Sequence, residues 1–152
     1  MLLKIFELIS IVLLTLVSGM YWGPWLAITR SMAKFEPSVF LIIVNRLYRN
    51  METLMTILLP LGLLSTVPVL IITFNKESHT FLLFLMALIL FVITLIVTLI
   101  IEIPIVKQID SWTISTLPDN WQRLRDRWGR FHLLRIIPSI IGILLLMIAA
   151  IF

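Results

Sequence analysis

The chain has 152 residues, of which 61% are hydrophobic and 13% are charged, and its formal net charge is +4. Soluble domains are about half apolar and about a quarter charged, so this composition excludes an ordinary soluble protein. The sequence contains no cysteine, which excludes disulfides, thiolate metal ligands and a CxxC redox pair. We therefore expect an integral protein of the lipid bilayer, whose excess of basic residues reflects topology and does not indicate binding to nucleic acid.

Apolar stretches of about 20 residues recur along the chain, and each is long enough to cross a bilayer as a helix. The predicted spans are residues 2–27, 50–74, 81–105 and 131–152, and the second begins near either Pro37 or Asn50. The polar stretch "NKESHT" at 75–80 predicts a short turn with His79 in solvent. The whole chain, 1–152, is therefore predicted to be one all-α domain, a four-helix transmembrane bundle.

The first span resembles a cleavable leader in its Lys4 and in the apolar run over residues 9–17. The sequence "WGPW" at 22–25 lacks the small residues of a cleavage site. We therefore expect the first span to remain as a membrane helix.

Basic residues are distributed unevenly between the two sides of this bundle. The predicted segments 28–49 and 106–130, with the start of the fourth span, carry ten of the twelve Lys and Arg residues, whereas the opposite side carries Lys4 and Lys76. The positive-inside rule places basic segments in the cytoplasm. We therefore predict a multi-pass protein of a plasma or inner membrane with both termini outside.

Polar residues recur at helical spacing where the fourth span begins. Trp121, Arg125, Trp128, His132 and Arg135 are separated by 4, 3, 4 and 3 residues, which puts them on one face of a helix. Similar stripes occur in the other spans: Asn45, Arg49, Glu52 and Thr56; Thr94, Thr98 and Glu102; and Ser18, Trp22 and Trp25. Because all four stripes lie near the cytoplasmic ends of their spans, the folded bundle is predicted to gather them around one cavity.

Ionisable residues are costly inside a membrane and indicate function by default. A histidine titrates near neutrality and moves protons, and arginines stabilise a developing oxyanion. Indole rings form walls for a flat aromatic ligand that arrives from the lipid. We therefore predict a catalytic group of His132, Arg135, Glu52 and Glu102, with His132 as the acid–base group. The predicted substrate-binding residues are Trp128, Arg125, Asn45, Arg49, Trp22 and Trp121.

Each of these residues also has a structural interpretation. Glu52 and Glu102 would pair with neighbouring arginines to assemble the bundle, since burying either carboxylate alone is costly. The tryptophans would be interfacial anchors, and His132 would be a structural histidine. A metal site built from His132 and the two glutamates lacks a second buried histidine or an ExxH pair, so no metal ligands are predicted.

The stretches "EIPIVKQIDSW" at 102–112 and "LPDNWQRLRDRWGRFHLLR" at 117–135 resemble the anthrone oxygenase-like family of small four-helix membrane proteins. The typical signature of that family is Pro–Ile–Asn at the end of the third span, a tryptophan, and then W-x-x-x-R-x-x-W-x-x-x-H-x-x-R. The matching residues are Pro104, Ile105, Trp112, Trp121, Arg125, Trp128, His132 and Arg135. The resemblance extends more weakly to "SGMYWGPWLAITRSM" and "NRLYRNMETLMTILLP".

One position departs from the family signature, because Val106 stands where the family usually has asparagine. Either this protein has lost that amide, or Asn45 supplies it. The resemblance implies the oxygenation of an anthrone-type polyketide to an anthraquinone, as in some family members, and it assigns no cofactor.

We therefore predict a membrane-embedded oxidoreductase or oxygenase-like protein. It acts on a lipophilic aromatic or quinone-like compound in a pocket at the cytoplasmic end of the bundle. The alternative is a non-enzymatic membrane protein, either a small transporter subunit or an assembly or docking partner, and the oligomeric state stays open. A pocket reached from the lipid and closed at its outer end would favour chemistry, whereas a continuous polar path would favour transport.

Overall fold

The computed structural model describes residues 1–76 and 78–152, which are helical over most of their length. The helices are α1 (Leu2–Ala27), α2 (Pro37–Thr73), α3 (Ser78–Val97), α4 (Ile103–Asp110) and α5 (Trp121–Ile151). A π-helical turn, Thr98–Glu102, connects α3 directly to α4, and a short 3-10 helix, Thr29–Lys34, follows α1.

Within the described part of the chain, four helical segments are long and apolar enough to cross a membrane. They are α1 with the 3-10 helix, α2, the continuous α3–α4 segment and α5. These segments confirm the predicted all-α fold, and the chain is a multi-pass integral membrane protein whose outer surface contacts lipid.

The helices extend beyond the apolar spans predicted from the sequence, because helical structure continues into polar sequence at the ends. Helix α2 begins at Pro37, where a proline costs little because the first N–H of a helix has no partner within the helix. Most of the predicted segment 28–49 is therefore helical, and α5 likewise begins ten residues before 131, at Trp121. We call the end of the bundle that carries residues 28–36 and 111–120 the basic end.

The chain reverses between α2 and α3 at the opposite end of the bundle. Asn75 adopts φ 64°, a left-handed conformation that asparagine tolerates better than most residues. The turn predicted at 75–80 is shorter than expected because α3 begins at Ser78, and residue 77 lies outside the described residues. His79 is exposed, as predicted.

Helix α1 packs between α2 and α5, and α3 packs along α5. Two glycines permit the closest approaches, because a Cβ at Gly62 would lie 2.7 Å from Leu14 and one at Gly142 would lie 2.8 Å from the Phe91 ring. Small residues serve this role in membrane helix pairs, where close backbone approach replaces the hydrophobic effect. The hydroxyls of Ser18 and Ser139 add a 2.9 Å hydrogen bond between α1 and α5.

Two apolar clusters fill the interior of the bundle. The larger one occupies the half away from the basic end and includes the fully buried residues Leu14, Phe84, Phe91 and Leu146. The smaller one lies at the basic end and includes Phe40, Val44, Val106, Ile109, Trp121 and Trp128. The polar residues described below lie where these two clusters meet.

Because the Phe91 ring is fully buried against Gly142, we expect Gly142→Ala to destabilise the bundle by about 1–3 kcal/mol through overpacking. Gly129→Ala on the same helix is the matched control, since nothing lies within 4 Å of the Cβ it would add. Unfolding in detergent, followed by circular dichroism, measures both variants. Equal stabilities for the two variants would contradict the packing that we describe.

Candidate active site

A cavity of about 380 Å³ lies between the two apolar clusters, toward the basic end. All four membrane-crossing segments contribute to its wall, and the wall is mostly apolar. This volume falls within the range of small-molecule pockets, about 300–1,000 Å³. Five residues predicted for the site line the cavity: Glu52, Glu102, Trp128, His132 and Arg135.

Arg135 on α5 is the centre of the polar cluster in this cavity. Its Nη2 lies 3.2 Å from Oε2 of Glu102 and donates to Nδ1 of His132 at 2.6 Å. Its Nη1 donates to the Thr98 hydroxyl at 3.3 Å, and its guanidinium lies 4.8 Å from the centre of the Tyr21 ring. One cation thereby connects α5 with α1 and with the π-helical turn.

The hydrogen bonds of His132 define its protonation state. Its Nε2 lies 3.1 Å from the main-chain carbonyl oxygen of Tyr21, which only accepts, so Nε2 carries a proton. Its Nδ1 accepts from the Arg135 guanidinium, which only donates, so Nδ1 carries none. The side chain is 5% exposed, and both ring nitrogens are engaged. The Glu102 carboxylate lies 3.9 Å from Nδ1.

The π-helical turn positions Glu102 in the cavity wall. Pro104 lacks an N–H and its ring crowds the carbonyl one turn earlier, so a regular α-helix is disfavoured at this point. The chain widens instead, and the N–H of Ile103 bonds to the carbonyl of Thr98, five residues back. Such turns are frequent at functional sites. Both polar residues of this turn, Thr98 and Glu102, line the cavity, and Glu102 is 3% exposed.

Tyr21 and Tyr48 also line the cavity, although the sequence reasoning did not select them. Tyr21 is buried, and its hydroxyl lies near those of Thr94 and Thr98 without a well-formed hydrogen bond to either. Tyr48 donates to Oε1 of Glu52 at 2.8 Å. A signal for Tyr21 was present in the sequence, since it lies three residues after Ser18 and so shares that residue's helix face.

The other five residues predicted for the site do not line the cavity. Arg49 is exposed, and its Nη2 lies 3.5 Å from the Asp110 carboxylate. Arg125 pairs with Asp126 at 2.8 Å and lies over the Trp121 ring, which packs in the cluster at the basic end.

Trp22 and Asn45 lie outside the cavity for different reasons. Trp22 is 42% exposed on the surface of α1. Asn45 lies on α2, where its Oδ1 is buried and has no hydrogen-bond partner among the described residues. Val106, where the resemblance described in the sequence analysis leads one to expect an asparagine, does line the cavity.

Several buried polar atoms around the cavity have no hydrogen-bond partner in the described part of the chain. They are the Thr29 and Tyr21 hydroxyls, Oε1 of Glu102, Nε1 of Trp128 and Nε of Arg135. An unsatisfied buried group costs about 1–3 kcal/mol, and more if it is charged. Unsatisfied buried polar atoms call for an explanation, and a ligand or water bound in this cavity would supply their partners. Among residues 1–76 and 78–152, no group of three His, Asp or Glu side chains is arranged to hold a metal ion.

These features define a class of protein, a small four-helix integral membrane protein with a mostly apolar cavity between its helices and buried charged side chains in the cavity wall. The chain belongs to the anthrone oxygenase family, whose sequence profile matches residues 45–145. This match confirms the resemblance found in the sequence. No curated protein and no solved structure was found to match the chain.

The pair of Glu102 and Arg135 predicts a non-additive effect on stability. Removing one partner leaves the other charge buried and uncompensated, so Arg135→Leu is expected to cost about 3–5 kcal/mol. The double variant Glu102→Leu/Arg135→Leu is expected to cost less than the sum of the single variants, because it leaves neither charge. Unfolding of all three variants in detergent gives the coupling energy.

The exposed arginine Arg123 lies on the same helix, and Arg123→Leu is the matched control. We expect it to change stability by less than about 0.5 kcal/mol. Additive effects of the two buried substitutions would contradict the pairing.

Proposed function

We propose that this protein is a membrane-embedded, oxygenase-like oxidoreductase that acts on a lipophilic aromatic or quinone-like compound. The observation that carries the proposal is the mostly apolar cavity in which the buried triad Glu102, His132 and Arg135 meets the Trp128 indole. The family match supports the class of chemistry. We further propose that the basic end faces the cytoplasm, with both termini outside, as the positive-inside rule indicates.

The shape and composition of the cavity favour a flat, apolar ligand. Aromatic walls come from Tyr21, Tyr48 and Trp128, and flexible apolar walls come from Met20, Met51 and Met55. Aromatic rings stack or meet edge to face at such walls, and methionines adapt to irregular shapes. The few polar groups in the cavity wall would fix the orientation of a carbonyl or phenol oxygen.

The roles of the charged residues follow from their free atoms. In our proposal, Oε1 of Glu102 receives the substrate proton, because Oε2 already pairs with Arg135. The N–H groups of Trp128 and Arg135 that have no partner in the described residues would stabilise the oxyanion that the proton leaves behind. These atoms are covered by neighbouring side chains, so the scheme requires side-chain rotations that bring them to the ligand.

His132 holds Arg135 in place in this scheme. The predicted role of His132 as the acid–base group stays a prediction, and it requires Arg135 to move away from Nδ1.

For an anthrone, the proton comes from the ring methylene, and its electron pair moves onto the carbonyl oxygen as an enolate. Dioxygen then oxidises that carbon, so that one oxygen atom becomes the new carbonyl and the other leaves as water with the two methylene hydrogens. The enolate is the species that needs a buried donor set, because charge develops on an oxygen inside an apolar cavity.

The interior beyond the cavity favours chemistry over the alternative of a transporter subunit. Fully buried side chains of Leu14, Phe84, Phe91 and Leu146 fill the bundle between the cavity and the end opposite the basic end. A solute on a path through the bundle would have to displace this packed core, which is costly.

Anthrone in lipid nanodiscs is the substrate probe that tests the proposal. We expect nanodiscs that carry the protein to form anthraquinone faster than protein-free nanodiscs, as measured by absorbance and oxygen uptake. Glu102→Gln should lower this rate by about a hundredfold or more, because a positioned base contributes that much to a proton transfer. Arg123→Ala, at an exposed position of α5, should leave the rate unchanged.

A rate equal to that of protein-free nanodiscs would overturn the proposal for anthrones. An undiminished rate in a folded Glu102→Gln variant would remove Glu102 from the mechanism, so its fold is checked by circular dichroism.

The proposed orientation is tested by labelling, because the natural chain has no cysteine. In sealed vesicles whose cytoplasmic face points outward, Ser115→Cys should react with a membrane-impermeant maleimide. Lys76→Cys, at the opposite end of the bundle, should react only after the vesicles are opened. The reverse labelling pattern would show the opposite orientation.

A further inference from the structure

The cavity has a mouth, and its exposed residues show where the mouth lies. Among the residues that line the cavity, four have exposed side chains: Glu52, Thr56 and Pro60 on α2, and Leu99 on the π-helical turn. The three on α2 are each four residues apart and therefore share one face of the helix. Eight residues of helix span about 12 Å. The mouth is therefore a slot along the seam between α2 and the π-helical turn.

The surface around this slot is apolar. On the α2 side, Ile57 and Leu61 are exposed, and on the other side Ile96 and Ile100 are exposed. In a membrane protein, exposed apolar residues at this density face the hydrocarbon. The slot therefore opens sideways into the bilayer, and Glu52 with its partner Tyr48 lies at the end of the slot nearer to the basic end.

The seam is closed on both sides of the slot. Toward the basic end, the Arg49 guanidinium on α2 lies 3.5 Å from the Asp110 carboxylate on α4. Toward the opposite end, the rings of Phe74 and Phe81 meet with their centres 5.5 Å apart, which connects the end of α2 to the start of α3.

Backbone irregularities occur on both helices at the slot. Pro60 has no N–H to donate to the carbonyl of Thr56, and Pro104 is responsible for the widened turn on the facing helix. One backbone hydrogen bond is therefore missing from α2 at the slot, and the facing segment is widened there into a π-helical turn.

We propose that the ligand reaches the cavity sideways from the bilayer, through the slot between α2 and the π-helical turn. This inference rests on the proposed function and narrows its substrate class to a flat molecule dissolved in the membrane. During passage through the slot, the polar atom of that molecule lies at the depth of Glu52. Once the molecule is inside the cavity, this atom lies at the level of Trp128 and Arg135.

A disulfide across the slot tests this route. The natural chain has no cysteine, so every cysteine in the variants is an introduced one. Thr56→Cys/Leu99→Cys links α2 to the π-helical turn, and Phe74→Cys/Phe81→Cys is the matched control that links α2 to α3 away from the slot. Both variants are placed in nanodiscs, and 9,10-anthraquinone is the probe. Entry of the probe into the cavity is measured as quenching of tryptophan fluorescence. The signal is the part of the quenching that disappears when the substitution Trp128→Phe is added.

We expect the disulfide across the slot to abolish this quenching and reductant to restore it in the same sample. The control disulfide should leave the quenching intact. Quenching that persists with the slot linked would overturn the lateral route and leave the proposed function standing. Where the two sulfurs lie too far apart for a disulfide, bismaleimides of increasing length make the link, and failure of every length would show that the two sides do not face each other and that the inference is wrong. Absence of Trp128-dependent quenching in the unlinked protein would overturn both this inference and the binding on which the proposed function depends.

Discussion

A positive charge buried inside an apolar bundle is the constraint on which the rest of the structure depends. The Arg135 guanidinium lies among four hydrophobic helices, where an unpaired ion would be very costly. The fold meets this cost with a carboxylate from the π-helical turn, an imidazole nitrogen from the same helix and the ring face of Tyr21. These partners come from three different segments, so neutralising one charge also brings three of the bundle's segments together at one level.

The local irregularities of the chain follow from the same requirement. Pro104 widens the third membrane segment into a π-helical turn, and this turn carries both Glu102 and Thr98 to the guanidinium. The widened turn also packs less closely against α2, and the cavity lies there between two well-filled apolar clusters. Binding space and charge pairing are thus produced by one feature of the backbone.

Helical spacing in the sequence predicted the site residues better on some helices than on others. It placed Trp128, His132 and Arg135 on one face, and all three line the cavity because α5 is a continuous helix through these positions. The same stripe continues to Arg125, but ten helical residues span about 15 Å, so that residue lies beyond the cavity. Helical spacing identifies a face and does not identify how far along that face a site extends.

On the first helix, the stripe of polar and aromatic residues predicted Trp22 as a site residue, whereas the neighbouring Tyr21 faces the interior. Adjacent residues differ in direction by about 100°. In a soluble protein the polar face would have decided between them, but in a membrane helix both the lipid side and the core side are apolar. Hydropathy therefore cannot distinguish the two faces.

The sequence by itself determined the membrane class, the four helical segments, the family, and the polar stripe that begins the fourth span. These properties follow from the composition and from the spacing of residues that are close together in the sequence. Only the tertiary structure decided which stripes converge, that both nitrogens of His132 are engaged, and that the cavity opens between α2 and the π-helical turn. Those properties depend on the rotation of each helix about its axis, and that rotation is set by packing and by the pairing of buried charge between residues distant in sequence.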